Sequence, residues 1–333
     1  MRILATLLIS IVIATACQSS SPQKHRTLTL GAYTTPREVY GKKLIPTFQA
    51  QWRAAHQEEI TFQESYLGSG AQARAIAGGF EADIAALSLA PDVQTLVKAK
   101  LLRDDWAVGP TQGMVSRSVV VLAVRSGNPR GIVDWDDLAK PGLNVLTPNV
   151  RTSGGAMWNI AAIFGAVMRG KTSAEASKAG VVALLTRILA NVSVMDKGAR
   201  ESLITFEQGV GDVAITYENE VLAAKRAGRS YDYVVPKSTI LIENPVAVVD
   251  TYIAKHKTDD VAKAFAAFLT TQEAQTAYAE FGYRPVLNEV AARFVKDFPA
   301  VQDLFTVRDL GGWETLSTEL FAPGALYEQA LKK

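Results

Sequence analysis

Beyond an apolar leader, short β-rich runs alternate with segments whose apolar residues recur at helical spacing, which predicts an α/β fold. Strands are expected at 28–33, 60–66, 84–89 and 118–124, the last closed by the turn Ser126-Gly127-Asn128-Pro129. Val39, Leu44, Phe48 and Trp52 mark one face of a helix over 38–55, and a second helix over 70–77 ends at Gly78-Gly79. Asp134-Trp135-Asp136-Asp137 opens a short helix with carboxylates at its positive end.

The pattern echoes itself. Three times a strand runs into a loop of small residues and then a helix: at Leu67-Gly68-Ser69-Gly70, at Thr152-Ser153-Gly154-Gly155 and at Asp196-Lys197-Gly198-Ala199. After the first and third helices comes a small residue, an Asp, a β-branched residue and Ala (Ala82-Asp83-Ile84-Ala85 and Gly211-Asp212-Val213-Ala214). Two related halves facing a cleft would account for this. Each loop removes side-chain bulk where unpaired helix amides carry partial positive charge, and ligands gather at strand ends of this kind. Any one loop by itself reads first as ordinary capping, since Ser and Gly are favoured there; three in the same context turn the balance toward an anion. No Lys of a nucleotide-phosphate loop and no dinucleotide GxGxxG stands in context.

The 333 residues suggest two domains, and a formal net charge of +2 gives no argument for nucleic acid. Met1-Arg2, an apolar run to Ala16 and then Cys17 read as an export signal, too short for a comfortable span. Cys17 is the only cysteine, so it makes no internal disulfide. Ala14-Thr15-Ala16-Cys17 resembles a bacterial lipobox, implying a lipidated Cys17 and a flexible tether over 17–26.

With Gly68-Ser69-Gly70, Gly198-Ala199-Arg200, Tyr217-Glu218-Asn219-Glu220, Tyr283-Arg284-Pro285 and 305–313, the segment Thr152–Asn159 resembles the sulfate/thiosulfate-binding family of bacterial ABC importers. The likeness runs in order from Leu28 to about Trp313. It implies a type II periplasmic-binding-protein fold: two α/β lobes joined by hinge strands, closing over one dehydrated oxyanion. Lobe 1 would take 27–119 and 235–333, lobe 2 would take 120–234, with crossovers near 118–121 and 233–235. Carried over, Ser69, Gly154, Gly155 and Ala199 would give backbone amides, Ser153 its hydroxyl, and the loop position at Thr34 a further amide. Arg37 and Arg200 would stand behind the site, paired elsewhere. Two positions depart: Thr34 replaces the Asp of enterobacterial members, and Tyr217 replaces a Trp that only donates, whereas a phenol also accepts. The resemblance further implies an extracytoplasmic, lipid-anchored monomer that delivers sulfate, or thiosulfate, to an ABC permease, without cofactor or metal. Phosphate, molybdate and tungstate remain alternative guests, and a sensor or hydrolase on the same fold an alternative role.

The residue types argue against catalysis. Ser153 has no visible partner base and no GxSxG elbow occurs. His25, His56 and His256 are expected to be solvated and without carboxylate partners, and Asp92 to cap a helix. The five tryptophans are too scattered for a sugar platform and are expected to pack.

Overall fold

The computed structural model describes residues 25–107 and 109–332, so the signal segment, Cys17 and most of the expected tether lie outside the described residues. The described residues form ten strands: β1 (His25–Tyr33), β2 (Glu59–Leu67), β3 (Ile84–Ala86), β4 (Met114–Arg125), β5 (Val145–Pro148), β6 (Val192–Asp196), β7 (Val213–Tyr217), β8 (Tyr231–Val234), β9 (Ser238–Val248) and β10 (Asp303–Phe305). They follow the order β2-β1-β3-β9-β4-β7-β5-β6, with β10 on β9 and β8 on β4. Strand β1 starts at His25, so the end of the expected tether is already sheet.

Read from its two ends, that order is one plan used twice. β1 pairs in parallel with β2 and β3, and β5 pairs in parallel with β6 and β7. An antiparallel strand then flanks each unit, β9 on β3 and β4 on β7. The echoed Asp has the same task in both. Asp83 donates its N–H to Thr29 O (2.8 Å) while its carboxylate accepts from Thr29 N (2.7 Å); Asp212 repeats both bonds with Asn144 (2.8 and 2.9 Å). Each aspartate thereby satisfies backbone groups beyond the end of the ladder. The partners behind them differ: Arg130 holds Asp212, whereas His256 Nδ1 (2.9 Å) and Thr258 Oγ1 (2.7 Å) hold Asp83. His256 Nε2 also meets Glu81 at 3.0 Å, contrary to the expectation of a solvated histidine, because the fold brings the Lys255 helix against the start of β3. His56 stacks on Trp52, with ring centroids 3.9 Å apart.

Parallel strands buried on both faces need continuous apolar runs, and β3, β5 and β7 are buried throughout. One core gathers Leu28, Leu30, Phe48, Phe265 and Tyr278; another gathers Leu122, Trp158, Ile163, Val181 and Ile215. Strand β4 links them, pairing with β9 up to Val119 and with β7 from Val120. The return link lies within β9, which leaves β10 at Ile240 and joins β4 at Leu241, further along the chain than the expected 233–235. Phe305, Leu316, Leu320 and Leu326 bury in the core of Trp158 and Val181, so the C-terminal segment packs with the residues expected to form lobe 2. No described helix is long and apolar enough to cross a membrane.

Candidate functional site

Each echoed loop sits where a strand hands over to a helix, and the duplicated sheet turns these ends toward one another. The helices Ser69–Ala77, Gly154–Met168, Ala199–Glu207 and Glu218–Arg226 begin at N-caps Gly68, Ser153, Gly198 and Tyr217, none of which places a side-chain hydrogen bond on the first-turn amides. Four N-termini without a bond from their own N-cap therefore share one buried region, each with about half a positive charge; Ser118 Oγ accepts from Asn219 N of the fourth (3.2 Å), and the first three keep first-turn N–H donors without a side-chain partner. Burying such donors without an acceptor costs about 1–3 kcal/mol each.

The loops interlock. Asn149 builds the second by accepting from Ser153 N (2.9 Å) and Thr152 N (3.1 Å) through its carbonyl and from Arg151 N (2.8 Å) through its side chain. Thr152 O then accepts from Ala71 N at 3.2 Å, Thr152 Oγ1 donates to Lys197 O at 2.8 Å, and Arg74 reaches Arg151 O at 2.9 Å. Glycine is required for this approach. A Cβ on Gly68 would lie 2.5 Å from Thr152 O and 2.6 Å from Lys197 O, and one on Gly154 would strike Leu89 and stand 2.8 Å from Ser88 Oγ.

Thr34, Ser69, Ser153, Gly154, Gly155, Ala199 and Tyr217 are all buried and drawn to this region. A Cβ on Gly155 would lie 3.0 Å from Ala199 Cβ, 3.2 Å from Ser153 Oγ and 3.4 Å from the Tyr217 hydroxyl, and one on Gly198 would lie 3.2 Å from Thr34 Oγ1. The Ser69 hydroxyl points away: it donates to Asp92 at 2.5 Å and accepts from Ser88 N at 2.8 Å. Asp92 thus holds a neighbouring helix instead of capping its own; burial, opposed by Ser69 and Arg74, raises its pKa to about 6.

The two arginines are engaged elsewhere. Arg200 donates to Glu38 at 2.8 Å and to Glu220 at 2.9 Å. Burial, against the pull of Arg200, lifts Glu220 to about 7. Arg37 lies over the Tyr66 ring, 4.8 Å from its centroid. Tyr217 is driven well above the usual phenol range by burial, so it stays protonated.

Sequence reasoning missed Ser88. Its hydroxyl is 2.7 Å from that of Tyr217, and its carbonyl accepts from Trp158 Nε1 (3.0 Å) and Asn244 Nδ2 (2.9 Å). A signal was present: Ser88 stands as far past Asp83 as Tyr217 stands past Asp212. Trp158, expected only to pack, is in the core and also fixes this serine.

A duplicated α/β body that turns bare helix N-termini into the buried seam between its halves defines a two-lobed solute-binding protein. Residues 28–284 match the family described as bacterial extracellular solute-binding protein. The chain is 42% identical to the sulfate-binding protein of Synechococcus elongatus over 304 residues, covering 91% of this chain and 85% of that one. It is 34% identical to the thiosulfate-binding protein of Pseudomonas aeruginosa over 304 residues, 90% of each chain. The solved sulfate-binding protein SubI from Mycobacterium tuberculosis H37Rv superposes with a TM-score of 0.81 at 39% identity, covering 89% of this chain and 100% of that one. A periplasmic thiamin binding protein, 12% identical with a TM-score of 0.66 over 92% of this chain and 96% of its own, shares the fold alone. The chain belongs to the sulfate- and thiosulfate-binding family of bacterial extracellular solute-binding proteins.

Proposed function

We propose that the protein binds sulfate, with thiosulfate second, outside the cytoplasmic membrane and delivers it to an ABC permease by closing two lobes over the anion. The observation that carries this reading is the meeting of uncapped helix N-termini while Arg37 and Arg200 are occupied by other groups. The amides at Thr34, Ser69, Gly154, Gly155 and Ala199 and the hydroxyls of Ser153 and Tyr217 form the donor shell. Amides suit a permanently ionised guest, because their partial charges need no counter-ion and bring no proton to exchange. Even about five of these seven charge-assisted hydrogen bonds, each about 1.5–3 kcal/mol, supply enough free energy for a Kd of about 1 μM or tighter after the cost of closure.

Lobe 1 is assigned 27–119 and most of 235–300, and the C-terminal segment from β10 onward moves with lobe 2, whose core it shares. Cys17 is acylated and anchors an otherwise extracytoplasmic monomer. No covalent chemistry occurs. Titration calorimetry on anion-stripped protein tests the reading: sulfate should bind at micromolar concentration or below, and a chromogenic sulfate ester should not turn over. Absence of binding by both sulfate and thiosulfate at millimolar concentration sinks it, and mass spectrometry of the mature N-terminus decides the acylation.

A further inference from the structure

The repeated plan brings two of its equivalent positions into contact. Ser88 follows β3 and Tyr217 ends β7, each at the same distance from its clamp aspartate, and their hydroxyl oxygens lie 2.7 Å apart across the seam between the halves. Both residues are buried, with exposures of 1% and 3%. The serine is set by its backbone: Ser69 Oγ accepts from its N–H, while Trp158 and Asn244 donate to its carbonyl. The pair faces the first turn of the Gly154 helix, since Ser88 Oγ would be 2.8 Å from a Cβ on Gly154 and the Tyr217 hydroxyl 3.4 Å from one on Gly155.

Two hydroxyls in contact hold two protons and use one between them. If Ser88 donates to Tyr217, the phenol proton is free to donate to a ligand oxygen. If Tyr217 donates to Ser88, a phenol lone pair faces the ligand and accepts, and the Ser88 proton becomes the one left to donate to a ligand oxygen. Backbone amides have no second setting, and an indole at this place would only donate. Asp92 does not supply the missing acceptor, because the Ser69 hydroxyl stands between its carboxylate and the loops.

We propose that the Ser88–Tyr217 pair is the selectivity element of the site and admits a tetrahedral oxyanion that keeps one proton, represented by hydrogenphosphate, beside fully ionised sulfate. This rests on the anion-binding reading above. Ser88 is the residue that makes the switch reversible. Without it a phenol that accepts from the ligand leaves its own buried O–H unpaired, whereas a phenol that donates to sulfate loses only a supporting contact.

Calorimetry with sulfate and with inorganic phosphate, in mildly alkaline buffer where phosphate is mainly the monoprotonated dianion, tests this on the anion-stripped protein. Phosphate should bind within about 100-fold of sulfate, the span of one mismatched charge-assisted hydrogen bond. Ser88→Ala should weaken phosphate at least about tenfold more than sulfate, one buried unpaired donor being worth that much. Wild-type protein that binds sulfate but no phosphate at millimolar concentration overturns the proposal and leaves the anion site standing. An unchanged phosphate-to-sulfate ratio in Ser88→Ala overturns it too. Failure of wild-type protein to bind sulfate defeats the underlying reading separately. Should Ser88→Ala not fold, the wild-type ratio still decides.

Discussion

Gly154→Ala is the sharpest perturbation of the closed form. Gly154 begins its helix and is absent from the positions with positive φ, so alanine adds no backbone strain. Within its own half it should be neutral or slightly stabilising, by at most about 1 kcal/mol of helix propensity. Its new methyl, however, would strike Leu89 and stand 2.8 Å from Ser88 Cβ and Oγ, which belong to the opposite half. Overpacking of this kind costs about 1–3 kcal/mol, which for a clash present only after closure becomes an affinity loss of about 5- to 150-fold. Calorimetry with sulfate should show that loss, while thermal melting without ligand should match the wild type. Gly155→Ala is the contrasting control. Its methyl meets Ala199, Ser153 and Tyr217, all within the second half, so it should disturb melting and binding together. Unchanged affinity in Gly154→Ala, or an equal loss of stability without ligand, would refute the idea that this contact forms on closing.

Removing one hydroxyl donor through Ser153→Ala should weaken sulfate about 10- to 150-fold, from a charge-assisted bond of about 1.5–3 kcal/mol, with little change in the melting temperature of anion-free protein; a smaller effect places the hydroxyl outside the donor shell. Trp158 Nε1 bonds Ser88 O across the seam and its ring packs edge-on to Trp313 at 4.7 Å, so closure should change its fluorescence. In Trp158→Phe most of the sulfate-induced signal should vanish, and an undiminished signal would assign it to another tryptophan. At His256 burial works against the charge, but the hydrogen bonds to Asp83 and Glu81 outweigh it and raise the pKa. A raised histidine stabilises fully below its unfolded pKa of about 6.5 and loses that contribution as pH rises through the folded value. The stability advantage of wild type over His256→Gln should therefore shrink from mildly acidic to alkaline pH, and an advantage constant with pH would contradict this pairing. Asp212 is held by an arginine and should give its half no such dependence near neutrality.

Local chemistry made much of this legible. The segments expected at 60–66 and 70–77 differ from β2 and the Ser69–Ala77 helix by only a residue or so at their ends, because apolar period and glycine punctuation act within a few residues. The 84–89 run ends as strand at Ala86, since Leu87 onward must turn toward the seam. Where the chain returns between the halves is hard to read locally for a related reason. Residues in β8 and β9 look equally strand-like, and only the choice between β4 and β10 as partner says where the chain crosses. His256 looked solvated because its carboxylate partners, Glu81 and Asp83, are remote in sequence.

By itself the sequence determined the α/β alternation, the repeated aspartate and the three stripped loops, because turn chemistry and helix starts are settled among neighbours. Tertiary structure alone decided that those loops face one another, that Ser88 meets its counterpart Tyr217, that Arg200 is taken by Glu38 and Glu220, and that the C-terminal segment joins the second core. The meeting of the loops and of Ser88 with Tyr217 depends on strands β4 and β9 pairing between the halves, and the choice is made by shape and burial over long chain separations, which no local pattern records.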